Sequence, residues 1–213
     1  MHQSLIIVDD FFNDPLEVRD RALTYDYPEP EAPLTFPGRN SSRTFLPTGL
    51  DQVMSTLAAE ALIGCPRPEV SHGKFRITQQ DDPSRYLVHV DPSFLSWVGV
   101  IYLSLPEHCR GGTAFYRHKL LDSDRTPSET VLRDHGFASI AELLRQDGRV
   151  PDRWDHVMTV PMRFNRLVFY RPWMWHSAAD AFGRSKDDAR LVYLVFFESA
   201  SSAPPGSFGT SQR

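Results

Sequence analysis

The sequence predicts a mainly β fold with flanking helices, in which a β-barrel or jelly-roll core follows N-terminal helices. Three observations lead to this prediction. Helical patterns and prolines fill the first part of the chain, apolar residues alternate with a period of two from residue 74 onward, and turn residues divide this alternating region into short strands. Such a period is typical of strands with one face in a core, and barrels of this kind hold a small site at one open end.

The N-terminal region begins with a predicted strand at residues 5–8 and a predicted helix at about residues 15–25. Asp14 suits the N-cap, Pro15 suits the first helical position, and Glu17 would complete a capping box. Residues 28–49 are rich in proline, which predicts an irregular loop. A second helix is predicted at about residues 50–63, ending at Gly64.

Short strands dominate the rest of the chain, with a helical insertion between two of them. The insertion covers residues 120–153, and Ser128 and Ser139 are the predicted N-caps of its two helices. The alternating or apolar runs predict strands within residues 73–80, 85–91, 97–104, 113–118, 156–162, 165–172 and 190–199.

Length and composition indicate one globular unit. With 213 residues, 41% of them hydrophobic, the chain is expected to form a single domain over residues 1–213. In this organisation the N-terminal helices of residues 1–70 pack on a β core of residues 71–199, which carries the insertion at about 120–153. A small, polar tail at 200–213 is expected to be flexible.

The charge, cysteine and hydropathy patterns exclude several classes of partner. A net charge of −4 gives no general attraction to nucleic acid or to an anionic bilayer, and no apolar run is long enough to span a membrane. Cys65 and Cys109 are isolated, and the N-terminus lacks the pattern of a secretory signal. We therefore expect a cytoplasmic protein whose partner is a small-molecule substrate.

One short motif, His-Val-Asp at residues 89–91, carries the strongest chemical signal. His89 and Asp91 are two positions apart, so in a strand both side chains emerge from one face. Two histidines and one carboxylate hold iron(II) with adjacent positions open, so a third ligand should be a distant histidine. His176 has the most apolar neighbours among the candidates. The candidates are His2, His72, His108, His118, His135, His156 and His176.

Five motifs in a fixed order resemble those of the iron(II)- and 2-oxoglutarate-dependent dioxygenases, in their small prolyl-4-hydroxylase-like branch. The core of that superfamily is a double-stranded β-helix, a jelly roll of the cupin type. The motifs cover most of residues 74–198, and residues 5–23 also resemble the strand and helix that open such domains. The five are YLVHVD, VIYLS, GGTAFY, NRLVFYRPWMWHS and RLVYLVFF.

The resemblance implies a set of roles for individual residues. His89, Asp91 and His176 would be the catalytic metal ligands for Fe(II), with 2-oxoglutarate and O2 as co-substrates. Arg190 would bind the distal carboxylate of 2-oxoglutarate, and Tyr86 matches a position that can hydrogen-bond the same group.

The chain departs from the family pattern in three places. The Gly-Gly turn at residues 111–112 is one residue shorter than usual, and Asn165 replaces a glycine. Arg190 also lies farther after His176 than is common, which makes Arg184 an alternative ligand for 2-oxoglutarate. Arg190 is preferred because it begins a strand, whereas Arg184 lies in a polar turn.

The reaction and the substrate are predicted less closely. Because halogenating relatives lack the carboxylate that Asp91 supplies, hydroxylation, desaturation or ring closure is expected. The proline-rich loop at 28–49 and the insertion are candidate lids. Arg39, Arg43 and Trp175 are candidate contacts for a small polar substrate, such as an amino acid or a natural-product intermediate.

Two alternatives to the dioxygenase hypothesis stay open from the sequence. One is a cupin-like metal enzyme that uses the same barrel without 2-oxoglutarate. The other is a non-catalytic barrel that binds a ligand.

Overall fold

The computed structural model describes residues 3–29, 37–82, 88–178 and 180–202 of the chain. Short helices alternate with strands in the first part, and strands predominate afterwards. The elements are β1 (Leu5–Val8), α1 (Pro15–Leu23), β2 (Arg39–Asn40), α2 (Leu50–Ala58), β3 (Leu62–Gly64), β4 (Lys74–Thr78), β5 (Trp97–Tyr102), β6 (Gly112–His118), α3 (Glu129–Asp134), α4 (Ile140–Asp147), β7 (Trp154–Pro161), β8 (Leu167–Tyr170), β9 (His176–Ala178) and β10 (Arg190–Ser199).

The strands form two antiparallel sheets. The larger sheet has the order β1-β8-β5-β10-β4-β2, with β3 also paired to β10, and the smaller sheet has the order β7-β6-β9. An isolated bridge between His89 and His176 continues the smaller sheet beyond β9. One apolar core contains residues from both sheets, so the sheets face each other. This arrangement is a double-stranded β-helix, and the predicted fold class is confirmed.

The larger sheet is buried on both faces. On one face, Leu191 and Tyr193 of β10 belong to a core that includes α1 and α2. On the other face, the alternate residues Val192 and Leu194 belong to the core between the sheets. Every residue of β10 is therefore buried or nearly so, as its continuous apolar sequence requires.

Two predictions about the N-terminal helices were wrong in detail. The second helix ends at Ala58, because Ala59 adopts a left-handed conformation with φ 53° and Leu62–Gly64 pair with β10 as β3. At residues 62–64 the pairing with β10 therefore prevails over the helical pattern of the sequence. A hydrogen bond of 2.9 Å from the Leu62 N–H to the Ser55 hydroxyl connects β3 to α2. Helix α1 begins at Pro15 as predicted, but the Asp14 side chain makes no capping hydrogen bond.

Three other predicted segments fall partly outside the described residues. Residues 30–36 of the proline-rich loop are outside, and its residues Arg39–Asn40 form β2 rather than irregular structure because they pair with β4. In the predicted strand at 85–91, residues 85–87 are outside, and Asp91 lies beyond the isolated bridge at His89. Residues 203–213 of the tail are outside as well, after a short 3₁₀ turn at Ala200–Ser202.

The insertion contains α3 and α4, and both predicted N-caps are present. Ser128 accepts a hydrogen bond from the Val131 N–H, and Ser139 accepts one from the Glu142 N–H. The insertion is attached to the smaller sheet through buried His118 of β6, whose Nε2 lies 3.0 Å from the carboxylate of Asp147.

Cys65 and Cys109 are free thiols in this structure. None of the helices in the described ranges is long and apolar enough to cross a bilayer.

Asn165 connects the N-terminal segment to the larger sheet. It adopts a left-handed conformation with φ 62°, and it is 3% exposed. Its side chain accepts a hydrogen bond from the Phe12 N–H at 2.9 Å and donates one to the Phe12 carbonyl at 2.8 Å. Asparagine therefore supplies both the turn and the connection, whereas glycine would supply only the turn.

We expect Asn165→Ala to lower the free energy of unfolding by about 2 kcal/mol, because it removes two hydrogen bonds and because alanine tolerates the left-handed conformation less well than asparagine. Asn165→Gly loses the same bonds without the backbone strain, so it should cost about 1 kcal/mol less. Urea denaturation of both variants measures the difference. An alanine variant at least as stable as the glycine variant would contradict this account.

The buried His118 predicts a pH dependence of stability. Burial lowers the pKa of His118 below its ordinary value of 6.5, and the hydrogen bond to Asp147 opposes this without reversing it. The unfolded chain therefore takes up a proton below pH 6.5 that the folded protein resists, and stability is lost as the pH falls from that value.

Relative to His118→Gln, the free energy of unfolding of the wild-type protein should fall more steeply below pH 6.5. One proton limits the difference in slope to about 1.4 kcal/mol per pH unit. Denaturant titrations at several pH values measure it, and equal slopes would show that His118 titrates alike in both states.

Candidate active site

Three buried side chains form a compact group of metal-binding type. His89, Asp91 and His176 are each less than 9% exposed, and one ligand atom from each lies within 4.8 Å of the others. His89 forms an isolated bridge with His176, the first residue of β9, and Asp91 follows two residues after His89. The sequence thus predicted correctly which three residues meet.

The orientation of His176 is set by its own turn. Its Nδ1 lies 2.9 Å from the Met174 carbonyl oxygen, an acceptor, so Nδ1 carries a proton and Nε2 is the nitrogen that faces Asp91. This Nε2 is 3.3 Å from Oδ2 of Asp91. Two acceptor atoms so close require a cation, either a proton or a metal ion, to bind them both. Adjacent ligands of an octahedral ion with bonds of about 2.1 Å lie roughly 3 Å apart, so the observed spacing suits a metal.

Burial controls the charge state of the group. Burial, with smaller contributions from His176 and Arg76, lowers the pKa of His89 well below its ordinary value, so this imidazole is held in the neutral form that binds metals. Burial raises the pKa of Asp91, against the opposing effects of His176 and Arg76. A bound cation would compensate the cost of the buried Asp91 carboxylate.

Tyr170 of β8 is a further residue of the site, and the sequence analysis did not identify it. Its hydroxyl lies 3.0 Å from His176 Nε2 and also hydrogen-bonds the side chain of Asp91. Burial and the nearby Asp91 raise the pKa of Tyr170 well above its ordinary value, so the hydroxyl stays neutral and able to donate. Tyr170 lies within an apolar run in the sequence, which gave no sign of this role.

The group lies in the wall of a cavity of about 750 Å³ between the two sheets. Apolar side chains of β5 and β10 form much of its wall, and the insertion adds Ile140, Ala141 and Leu144 of α4. Trp173, next to the segment that carries His176, contributes an aromatic wall. The insertion therefore forms part of the cavity wall.

Arg190 faces the same cavity at the start of β10. It is 4% exposed, and its Nη2 donates to the Gly112 carbonyl oxygen at 3.5 Å. Within the described residues its Nε has no hydrogen-bond partner. Arg184 is exposed on the loop before β10 and does not line the cavity. A buried guanidinium with so few bonds suits an anionic ligand.

The other predicted site residues are not brought to the cavity. Arg39 donates to Glu29 at 2.8 Å and to Gln79, Arg43 lies over the ring of Tyr25, and neither lines the cavity. Trp175 is fully buried beside Trp154, where it belongs to the apolar core under the insertion.

These placements do not support substrate contacts by the three residues. Each residue is held away from the cavity by another interaction. Arg39 lies in β2, which pairs with β4, Arg43 stacks on Tyr25, and Trp175 packs in the core under the insertion. Tyr86 lies outside the described residues.

Arg76 of β4 is a second arginine in the cavity wall, and the sequence analysis did not identify it. It alternates with Phe75 and Ile77, which pack toward the helices. The alternation was therefore a usable signal, because the residues between two core positions of a sheet covered on both faces must point into the barrel.

The chain matches one family model over residues 1–196, described as a family of unknown function, DUF6445. A comparison with curated proteins found no significant match.

Several solved structures share the fold at low sequence identity. HygX from Streptomyces hygroscopicus, with nickel, 2-oxoglutarate and hygromycin B bound, is 13% identical, covers 99% of this chain and 86% of its own, and has a TM-score of 0.53. SnoK, an α-ketoglutarate-dependent carbocyclase from nogalamycin biosynthesis, is 14% identical over 93% of this chain and 81% of its own, at a TM-score of 0.51.

A prolyl hydroxylase from Trichoplax adhaerens, in complex with a peptide fragment of hypoxia-inducible factor, is 11% identical. It covers 94% of this chain and 88% of its own at a TM-score of 0.51. These similarities confirm the predicted resemblance at the level of the fold.

We expect the protein to bind one divalent ion, such as Ni²⁺ or Fe²⁺ under anaerobic conditions, at the His89–Asp91–His176 group. His176→Ala should weaken metal binding by a factor of at least about 100. Removing only a residue that hydrogen-bonds a metal ligand costs about 10- to 100-fold in affinity, and removing the ligand itself should cost more. Calorimetry with the metal-free protein measures this affinity. His156→Ala, at an exposed histidine of β7, is the matched control and should bind as the wild type does. Unchanged affinity in His176→Ala would exclude the site.

Proposed function

The chain belongs to the DUF6445 family, and we propose that it is an iron(II)- and 2-oxoglutarate-dependent oxygenase that acts on a small molecule. One observation supports this most strongly. The His-Asp-His group and the buried Arg190 line the same cavity of a double-stranded β-helix. A metal site alone would suit many enzymes, but a buried arginine beside it also suits a dicarboxylate co-substrate.

In this proposal His89, Asp91 and His176 hold iron, and Arg190 binds the distal carboxylate of 2-oxoglutarate. When bound there, iron would supply oxidising chemistry with O2 and 2-oxoglutarate, which would lose carbon dioxide and take one oxygen atom into succinate. The other oxygen atom would enter the substrate in a hydroxylation, or leave as water in a desaturation or ring closure. His176 is held in the binding tautomer by the Met174 carbonyl. Tyr170 donates a hydrogen bond beside the ligands, and the apolar walls exclude water from the reacting atoms.

The reaction proposed is hydroxylation, or a related desaturation or ring closure. Halogenating relatives lack the carboxylate that Asp91 supplies and leave its place to chloride. In this structure Oδ2 of Asp91 lies 3.3 Å from Nε2 of His176, a distance that suits two ligands of one metal ion. The cavity of about 750 Å³ is in the range of small-molecule sites. Because its walls are mainly apolar, we propose a substrate with a substantial apolar part rather than a purely polar one.

The test is optical and does not require the substrate. Anaerobic protein with Fe(II) should develop a visible metal-to-ligand charge-transfer band when 2-oxoglutarate is added, because the keto acid chelates the ion. Absence of the band in a folded, iron-loaded protein would contradict the proposal. Retained metal binding without the band would favour a cupin-like enzyme that does not use 2-oxoglutarate, and loss of both would favour a non-catalytic barrel.

Titration of that band tests Arg190 separately. Arg190→Met should weaken 2-oxoglutarate binding about 10- to 100-fold, since a hydrogen bond to a charged group contributes about 1.5–3 kcal/mol. Arg184→Met, at the exposed arginine of the preceding loop, should leave the affinity unchanged. The opposite result would assign the co-substrate to Arg184.

A further inference from the structure

Arg76 is held in the cavity wall by neighbours on β2 and the segment before β4. Its Nε donates to the Asn40 side-chain oxygen at 2.7 Å. The Asn40 amide in turn donates to the Ser71 hydroxyl at 2.8 Å, and Ser71 also lines the cavity. This chain of hydrogen bonds fixes the plane of the guanidinium group.

Arg76 and Arg190 are close enough to affect each other. Burial and the neighbouring charge of Arg190 lower the pKa of Arg76 to about 10, so Arg76 still carries its charge at neutral pH. Asp91, a member of the metal-binding group, lies on the same side and acts in the opposite direction. Two guanidinium groups near one wall give that end of the cavity a positive potential, which favours anionic ligands.

The co-substrate accounts for one of these arginines. 2-Oxoglutarate has two carboxylates, of which one belongs to the metal-chelating end and the other is assigned to Arg190 in the proposed function. The chelating carboxylate and Asp91 would share their negative charge with the metal ion, so Arg76 beside them can also attract an anionic group of the substrate. The remaining occupant of the cavity is the substrate.

The remaining lining of the cavity is mainly apolar, and it indicates which groups the substrate carries besides an anionic one. Ile140, Ala141 and Leu144 of α4 present an apolar surface, and Trp173 adds an aromatic one. Val98 and Val100 of β5 extend it between the sheets. A ligand that contacts both this surface and Arg76 has an apolar body and an anionic group.

We propose that Arg76 is a specificity-determining residue that binds a carboxylate of the substrate, so that the substrate class is small carboxylic acids with an apolar body. This inference rests on the proposed function. Asn40 and Ser71 are positioning residues that act through Arg76.

The test uses anaerobic protein loaded with Fe(II) and 2-oxoglutarate, in which turnover cannot occur. The probes are aliphatic and aryl-substituted carboxylic acids, each paired with its primary amide, and calorimetry measures their binding. In the wild type at least one acid should bind about 10-fold or more tightly than its amide, because a charge-assisted hydrogen bond is lost in the amide. Arg76→Met should abolish this preference and leave the affinity for 2-oxoglutarate within about threefold.

Two further variants make the comparison specific. Arg76→Lys keeps the positive charge but lacks the planar guanidinium group, so it should retain part of the preference for the acid. If Arg76→Met does not fold, this partial loss of preference is the test. Lys74→Met, at the other cation of β4, should behave as the wild type because Lys74 donates to the Ser42 carbonyl and does not line the cavity.

Each adverse outcome has its own meaning. If 2-oxoglutarate fails to bind the wild type, the proposed function and this inference both fail. If 2-oxoglutarate binds but no acid is preferred over its amide, or the preference survives in Arg76→Met, only the inference is overturned. A large loss of 2-oxoglutarate affinity in Arg76→Met would overturn it too, since Arg76 would then bind the co-substrate.

Discussion

The larger sheet is covered on both faces, and the composition of the cavity follows from this constraint. Along each of its central strands, one set of alternate side chains packs under α1 and α2, and the other set faces the smaller sheet. A charged residue in the second set cannot reach bulk water by turning outward. Arg190 and Arg76 are in that set, so the strand period alone places two guanidinium groups inside the barrel. Buried charges of this kind need counter-charges from a ligand or a neighbour.

The smaller sheet positions the metal-binding group through its backbone. His89 and His176 exchange two backbone hydrogen bonds, of 3.0 and 2.9 Å, and the Asp91 N–H donates to the Pro172 carbonyl at 3.0 Å. The main chain on either side of the group is therefore held by pairing between segments that are distant in sequence. Such support from the surrounding backbone is a general requirement for a site whose geometry precedes its ligand.

The sequence identified the fold class and the three residues that lie together as His89, Asp91 and His176, because both leave recognisable patterns: a His-x-Asp pair, an ordered set of motifs, and a two-residue period. It did not predict Tyr170, which lies within an apolar run. The alternation of Arg76 with Phe75 and Ile77 points into the barrel only for a sheet that is covered on both faces, and the sequence analysis did not use it. Long-range pairing also ended α2 early, where the local pattern favours a helix, and created β3 and β9. Arg39 and Arg43 were proposed as substrate contacts in the candidate lid at 28–49, and Trp175 next to His176. Pairing, stacking and core packing determine their positions instead.

A sheet buried on both faces also limits where the chain can change length. Adding or removing one residue within β10 would exchange its two sets of side chains, moving Arg190 toward the helices and an apolar neighbour into the cavity. The differences from the related motif pattern fall instead in the Gly111–Gly112 turn and in the loop before Arg190, where the register of the strands is unaffected. Descendants of this sequence can therefore gain or lose residues at the strand connections, the 120–153 insertion being one, while the interior strands keep a fixed residue count.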